Sequence, residues 1–189
     1  MRHAASLVTG GAWIALLTVW IVMAFTTKPT VERRGFTPSL LLIIVVEGLF
    51  FYGRHATQHS WVHRVLWTPS ADEAIIGAIV VVIGAAFALW ARLTIGGNWS
   101  GGVTVKENHE LIRRGPYAIV RHPIYTGLFA MLIGGTVEYG NVLYVVTFAL
   151  SIAIFAPKIR SEEHLMEKTF PSEYSEYRDH VKAVIPFLL

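Results

Sequence analysis

The sequence predicts an all-α integral membrane protein of about five transmembrane helices with a cytoplasmic C-terminal helical tail. Three observations carry that prediction. Hydrophobic residues make up 53% of the 189 residues and charged ones only 15%, with a mean hydropathy of +0.50. A soluble domain usually carries about a quarter charged residues. Apolar segments of near-spanning length recur along the chain. The basic residues also divide unevenly between the two faces that this layout creates.

The first segment, Leu7–Thr26, has the ~20 residues that cross a bilayer. Arg2 and His3 precede it, as in a signal peptide. Its length and the lack of an A-x-A-like cleavage site predict a retained span instead. Pro38–Gly53 is a shorter second segment, interrupted only by Glu47. An intramembrane carboxylate marks a substrate or ion route or a pairing partner, or else snorkels near the end of its span. His55, His59 and His63 follow at helical spacing. Metal binding fits that spacing, but no carboxylate is interleaved, so they are read as interfacial polar residues and no metal site is expected. Ala74–Ala91 is uniformly apolar and forms the third span.

A polar loop, Arg92–His122, comes next. Its Gly96–Gly102 run is turn-prone and matches neither dinucleotide-binding nor P-loop glycine spacing, so no Rossmann domain is expected. Asn98-Trp99-Ser100 fits a glycosylation sequon, which the expected cytoplasmic position argues against. Val103–Val105 alternates briefly and predicts an extended stretch, and Gly115-Pro116 predicts a turn. Pro123–Val137 is short and glycine-rich, and Tyr139–Pro157 is a further full span. Gly140 and Asn141 would join them as a helical hairpin. Beyond Pro157 a polar helix is expected over Arg160–Lys168, interrupted by Phe170-Pro171. Ser172 would cap a second helix, with Tyr174, Tyr177 and Val181 on one face. No repeat is visible. The chain divides by chemistry into residues 1–91, mostly spans, and 92–189, which hold most of the charges.

On this layout 13 of the 16 Lys and Arg residues lie on one side and 3 on the other. The positive-inside rule places the long loop and the C-terminus in the cytoplasm and the N-terminus outside, which requires an odd number of spans. The formal charge of +3 is juxtamembrane and suits anionic lipid, so no nucleic-acid partner is expected. The chain has no cysteine, which excludes disulfides, a thiolate nucleophile and cysteine-based zinc sites.

The most informative stretch is Gly115–Tyr125, GPYAIVRHPIY. Pro123 suits a first helical turn. Arg121, His122 and Tyr125 would then cluster at a helix N-terminus, where unpaired N–H groups and the dipole favour anions. Glu162-Glu163 alone reads as a solvated face with a Lys158–Glu162 pair. The hairpin, however, would bring it to the same end as Arg121-His122.

His109-Glu110-Leu111-Ile112, Gly115-Pro116-Tyr117, Arg121-His122-Pro123-Ile124-Tyr125 with Gly127, Glu162-Glu163, Phe170-Pro171 with Tyr174 and Tyr177, and Ile185-Pro186 follow one another in order. This pattern, over roughly residues 92–187, resembles the isoprenylcysteine carboxyl methyltransferase family and its phospholipid methyltransferase relatives. The resemblance implies a membrane-embedded methyltransferase that uses S-adenosyl-L-methionine. It implies that His109 to Ile112, Tyr117 and His122 to Tyr125 line the cofactor pocket, and that Glu162, with Glu163 beside it, supplies the acidic cofactor contact. The family's substrate-contacting arginine falls nearest Lys158 by spacing and Arg160 by residue type. Arg121 and Arg160 or Lys158 would orient an anionic acceptor. That acceptor is a lipophilic small molecule or lipidated substrate, with prenylated cysteine, phospholipid amine, fatty acid and small thiol as alternatives. The competing readings are an NADPH-dependent sterol or steroid reductase and a non-enzymatic membrane-assembly protein.

Overall fold

A computed structural model describes residues 1–33, 64–100 and 104–186. The expected second span Pro38–Gly53, with Glu47, and His55, His59 and His63 lie outside the described residues. The described part comprises α1 (Arg2–Ala24), β1 (Thr30–Arg33), α2 (Ala71–Ile95), β2 (Thr104–Lys106), α3 (Pro123–Tyr139), α4 (Val142–Thr169) and α5 (Pro171–His180). Three helical stretches, Arg2–Ala24, Ala71–Asn98 and Val142–Thr169, are long and apolar enough to cross a membrane. Helix α3, with 17 residues, is about 25 Å long and lies at the lower limit of length for a crossing.

The fold is mostly rather than purely helical. Strands β1 and β2 pair antiparallel, with Arg33 opposite Thr104 and Thr30 opposite Lys106. The expected extended stretch overlaps β2 at Thr104 and Val105, and its partner β1, before the second expected span, carries no comparable signal in the sequence.

Local chemistry sets the helix ends. Ser70 and Glu73 form a capping box at the start of α2: the Ser70 hydroxyl accepts from Glu73 N–H (3.1 Å) and Glu73 accepts from Ser70 N–H (2.7 Å). The hairpin between α3 and α4 turns at Gly140, whose φ of +60° lies in the left-handed region that glycine tolerates best. Asn141 caps α4 by accepting from Tyr144 N–H at 3.2 Å. Helix α4 then runs unbroken through Pro157 to Thr169, so the expected span and the expected polar helix are one element. The break comes at Phe170-Pro171 as expected, but the N-cap of α5 is Phe170, with Pro171 in its first turn, rather than Ser172.

Helix α2 continues past Ala91, so Arg92 belongs to its last turn rather than to a loop. Its side chain is fully buried. Nη2 donates to the Met23 carbonyl (2.7 Å) and Nη1 to the Gly96 carbonyl (2.9 Å). The guanidinium lies 4.5 Å from the Trp99 ring centroid. This one residue ties the ends of α1 and α2 together.

Helices α2 and α3 pack antiparallel through glycines. A Cβ on Gly77 would sit 2.6 Å from the Gly134 carbonyl oxygen, and one on Gly84 would sit 2.6 Å from that of Gly127. Such approach distances exclude any side chain. Gly84→Ala is therefore expected to destabilise the protein by about 2 kcal/mol, the usual cost of overpacking. Gly10→Ala, where a Cβ would meet nothing within 4 Å, is expected to leave stability unchanged or slightly raised. Thermal unfolding in detergent measures the contrast. At the far end of the bundle, α1 and α3 are joined by Thr9 Oγ1 donating to the buried Glu138 carboxylate at 2.5 Å.

Candidate functional site

The end of the bundle that carries the 115–125 segment holds a cavity with about 1120 Å³ of empty space, including its open mouth. Its wall combines α1 (Trp20), the end of α2 and the turn after it (Ile95, Asn98, Trp99), Thr104 and the 109–112 segment. It is completed by Tyr117, residues 121–125, the α4 residues Lys158, Glu162, Leu165 and Met166, and Tyr174 and Tyr177 of α5.

Two adjacent glutamates divide the work at the start of α3. Glu163 accepts from Arg121 Nε at 2.9 Å and from Nη2 at 2.6 Å, and its Oε1 is 3.2 Å from His122 Nε2. Arg121 Nη1 turns the other way, to the carbonyls of Val181 and Arg178. The backbone continues the same junction. Arg121 N–H donates to Lys182 O (2.8 Å), His122 N–H to Ala183 O (2.9 Å) and Thr126 Oγ1 to Val184 O (2.6 Å). Arg121 and Glu163 thus brace the C-terminal segment against the α3 start, and Glu163 itself is not among the cavity-lining residues.

Arg121→Ala would leave Glu163 with His122 alone and strip two carbonyls of their donor. Breaking one partner of a buried pair costs several kcal/mol. A loss of about 3 kcal/mol is expected here, because the Glu163 side chain keeps 20% exposure. Amide hydrogen exchange at Lys182–Val184 should then speed up before that of α2.

Glu162 faces the cavity. Its Oε1 accepts from Tyr125 OH at 2.9 Å and lies 3.5 Å from Lys158 Nζ, and its Oε2 lies 3.7 Å from His122 Nδ1. Tyr125 stacks on His122 and packs against Phe155 with ring centroids 4.9 Å apart. Lys158, 9% exposed at its side chain, holds its ammonium 5.4 Å from the Tyr125 ring centroid. Lys158, Glu162 and Leu165 follow at helical spacing, so one face of α4 meets the cavity. Arg160 is out of phase with that face, exposed, and outside the cavity wall. The sequence left Lys158 and Arg160 as alternatives; helical phase brings only Lys158 to the cavity.

His109, Glu110, Leu111 and Ile112 all reach the wall. His109 lies against Phe170 at 5.8 Å, while the Glu110 side chain is 70% exposed and 3.9 Å from Lys28. Pro123 and Ile124 open α3 and line the same cavity. Tyr117 is buried and its carbonyl accepts from Tyr177 OH at 2.5 Å. Burial pushes the Tyr117, Tyr174 and Tyr177 phenols up, so all three remain neutral hydroxyls at neutral pH.

Among the wall residues that escaped the sequence reading as site residues are Trp20, Asn98, Trp99 and Thr104. Asn98 is buried and accepts from Lys28 Nζ at 2.9 Å, which also removes it as a glycosylation site. Trp20 and Trp99 meet edge to face at 5.9 Å. Trp20 Nε1 and Thr104 Oγ1 are buried with no hydrogen-bond partner among the described residues. Unsatisfied buried polar atoms in a cavity wall fit a ligand that carries complementary groups.

Residues 74–168 match the family model of the isoprenylcysteine carboxyl methyltransferase (ICMT) family. The chain is 31% identical to a probable protein-S-isoprenylcysteine O-methyltransferase of Oryza sativa subsp. indica, over 82% of this chain and 84% of the rice protein. It is 28% identical to protein-S-isoprenylcysteine O-methyltransferase B of Arabidopsis thaliana, over 78% of this chain and 70% of that protein. Its fold is similar to the solved structure of the eukaryotic intramembrane Ras methyltransferase ICMT, with a TM-score of 0.57 at 24% identity. That match covers 82% of this chain and 55% of the solved one, so the chain spans little more than half of that structure's length.

Proposed function

This chain belongs to the isoprenylcysteine carboxyl methyltransferase family, and on that premise we propose that its cavity binds S-adenosyl-L-methionine and methylates the carboxylate of a lipophilic, isoprenylcysteine-type acceptor. The observation that carries the reading is the Glu162 cluster. A half-buried carboxylate is oriented by Tyr125, Lys158 and His122 in the wall of an aromatic-lined cavity in a membrane protein.

The residues present fit the cofactor. Glu162 suits a cationic amino group or a hydroxyl, and the Tyr117, His122 and Tyr125 rings suit a purine. The Thr104 hydroxyl is a buried polar atom awaiting a partner. Glu162, Tyr117, Thr104 and residues 109–112 and 122–125 would hold it. When bound, S-adenosylmethionine supplies a sulfonium methyl whose S–C bond breaks as an acceptor carboxylate oxygen forms the new C–O bond, giving a methyl ester and a neutral thioether.

The chain's own residues orient the reactants and exclude water. Lys158 presents a single positive charge to the acceptor carboxylate, and Glu162 fixes that ammonium by their 3.5 Å pairing. No general base is required, because a carboxylate acceptor is already ionised near neutral pH. Alignment of the reacting atoms and a dry cavity provide the rate gain. The lipophilic body of the acceptor enters sideways from the bilayer. Glu163 and Arg121 act at one remove, by bracing the C-terminal segment 182–184 against the start of α3.

The same reading gives the chain five spans with the cavity and C-terminus in the cytoplasm, supported by the 13-to-3 split of basic residues. Because the chain has no cysteine, a single Ser175→Cys variant labelled by an impermeant maleimide reports the side directly. Calorimetry tests the cofactor: S-adenosylmethionine should bind the purified protein and NADPH should not. The reverse result would replace this function with that of a reductase.

A further inference from the structure

Trp20 occupies an unusual position for a tryptophan in an apolar helix. It sits on α1, outside the residues 74–168 that match the family model, yet it lines the cavity. It is 7% exposed and packs within the core that also holds Leu16, Tyr125 and Leu128. Its Nε1–H has no acceptor among the described residues, although the indole ring is well held by the edge contact with Trp99.

An indole N–H can only donate, so the missing partner is an acceptor atom. A buried donor left without one destabilises the fold, and such exceptions concentrate where a ligand completes the bond. The ligand that brings an oxygen to this wall is constrained by place. Trp20 lies on a helix long enough to cross the membrane, among apolar side chains. A lipophilic molecule arriving from the bilayer meets this wall, whereas the 109–112 loop and Glu162 serve a polar cofactor. Lys158 adds the second argument. A lysine ammonium is a point charge and cannot grip both oxygens of a carboxylate as a guanidinium does. An additional donor would fix the carboxylate's orientation, and Trp20, which lines the same cavity, carries a donor with no partner among the described residues.

We propose that Trp20 is an acceptor-binding residue: its Nε1–H donates to one oxygen of the acceptor carboxylate while Lys158 Nζ holds the other. This rests on the methyltransferase reading above and deepens it by naming the α1 residue that orients the acceptor carboxylate.

The full chain in lipid nanodiscs provides the test, with N-acetyl-S-farnesylcysteine as the carboxylate probe and farnesol as a lipid of the same tail without the carboxylate. Trp20→Phe keeps an aromatic ring and removes the donor. It should raise the acceptor KM about 10-fold, the loss of one charge-assisted hydrogen bond, while the S-adenosylmethionine Kd stays within about 2-fold. In the unmutated protein, the ¹⁵N-labelled indole resonance of Trp20 should move downfield on adding the probe without cofactor, and farnesol should not reproduce the shift.

An unchanged KM, a cofactor Kd that weakens in step with KM, or an indole shift that is absent or matched by farnesol would overturn the proposal. If Trp20→Phe does not fold, the indole shift alone decides. If the wild-type chain transfers no methyl group, the proposed function fails, but the indole response to the probe still decides whether Trp20 binds a carboxylate.

Discussion

Glu162→Ala is expected to weaken S-adenosylmethionine binding about 100-fold, the largest single effect on the cofactor. Three groups converge on this carboxylate: Tyr125 OH at 2.9 Å, Lys158 Nζ at 3.5 Å and His122 Nδ1 at 3.7 Å. Its removal withdraws the one negative charge that faces the cavity from α4 and leaves the Tyr125 hydroxyl without its acceptor. A hydrogen bond to a charged group contributes about 1.5–3 kcal/mol, and the upper end of that range corresponds to about 100-fold in Kd. Glu162→Gln keeps the shape and an acceptor for Tyr125 while removing the charge, so a smaller loss of about 10-fold is expected. Calorimetric titration of both variants reads the difference. Equal affinity in wild type and Glu162→Ala would remove Glu162 from the cofactor site and leave it a merely structural partner of Lys158.

Lys158→Met should act on the other reactant. Methionine keeps the apolar stem beside Tyr125 and deletes the ammonium. Loss of one preorganised donor at a reacting group typically costs a factor of about 100 to 1,000 in rate. The expected result is therefore a fall of at least about 100-fold in kcat/KM for a farnesylated cysteine. Cofactor affinity should be unchanged or slightly tighter, because a positive charge next to a cation site has gone. Lys158→Arg should retain most activity, since a guanidinium can grip both carboxylate oxygens. Arg160→Ala should behave as wild type, because Arg160 is exposed and off the cavity face. Activity lost in Arg160→Ala and kept in Lys158→Met would reverse the assignment. Kinetics with cofactor and acceptor varied separately distinguish these outcomes.

What the sequence revealed and what it hid follow from the range of the interactions. The Arg121-His122-Pro123 start of α3, the Gly140-Asn141 turn and the return of Glu162 to the same end are local or near-local in origin. Proline in a first turn, glycine at a positive φ and a hairpin of two apolar segments all leave marks in residue order. Helical phase on α4 was legible too: counting from Glu162 at 100° per residue puts Lys158 on its face and Arg160 nearly opposite. Residue type alone had favoured the arginine.

Trp20, Trp99, Asn98 and Thr104 were hidden because their place in the wall depends on how α1 and the loop after α2 pack against the α3–α4 hairpin. No sequence period encodes that packing. A tryptophan in an apolar run reads as an interface anchor, and an Asn-Trp-Ser triplet reads as a sequon. The buried Arg92 was hidden for a related reason. A basic residue after a long apolar segment normally marks the point where the chain leaves the membrane. Here it turns inward to hold two helix ends and the Trp99 ring.

The central claim is that the Glu162–Lys158 cavity transfers a methyl group to a carboxylate. The most direct measurement supplies S-adenosylmethionine carrying a labelled methyl group, together with N-acetyl-S-farnesylcysteine, to the purified chain in nanodiscs. The product is then treated with base. The claim predicts label in a lipophilic product that base releases as methanol, and far less of it from Glu162→Ala at a cofactor concentration near the wild-type Kd. Absence of label, or label that resists base and so resides on nitrogen or sulfur, would contradict it.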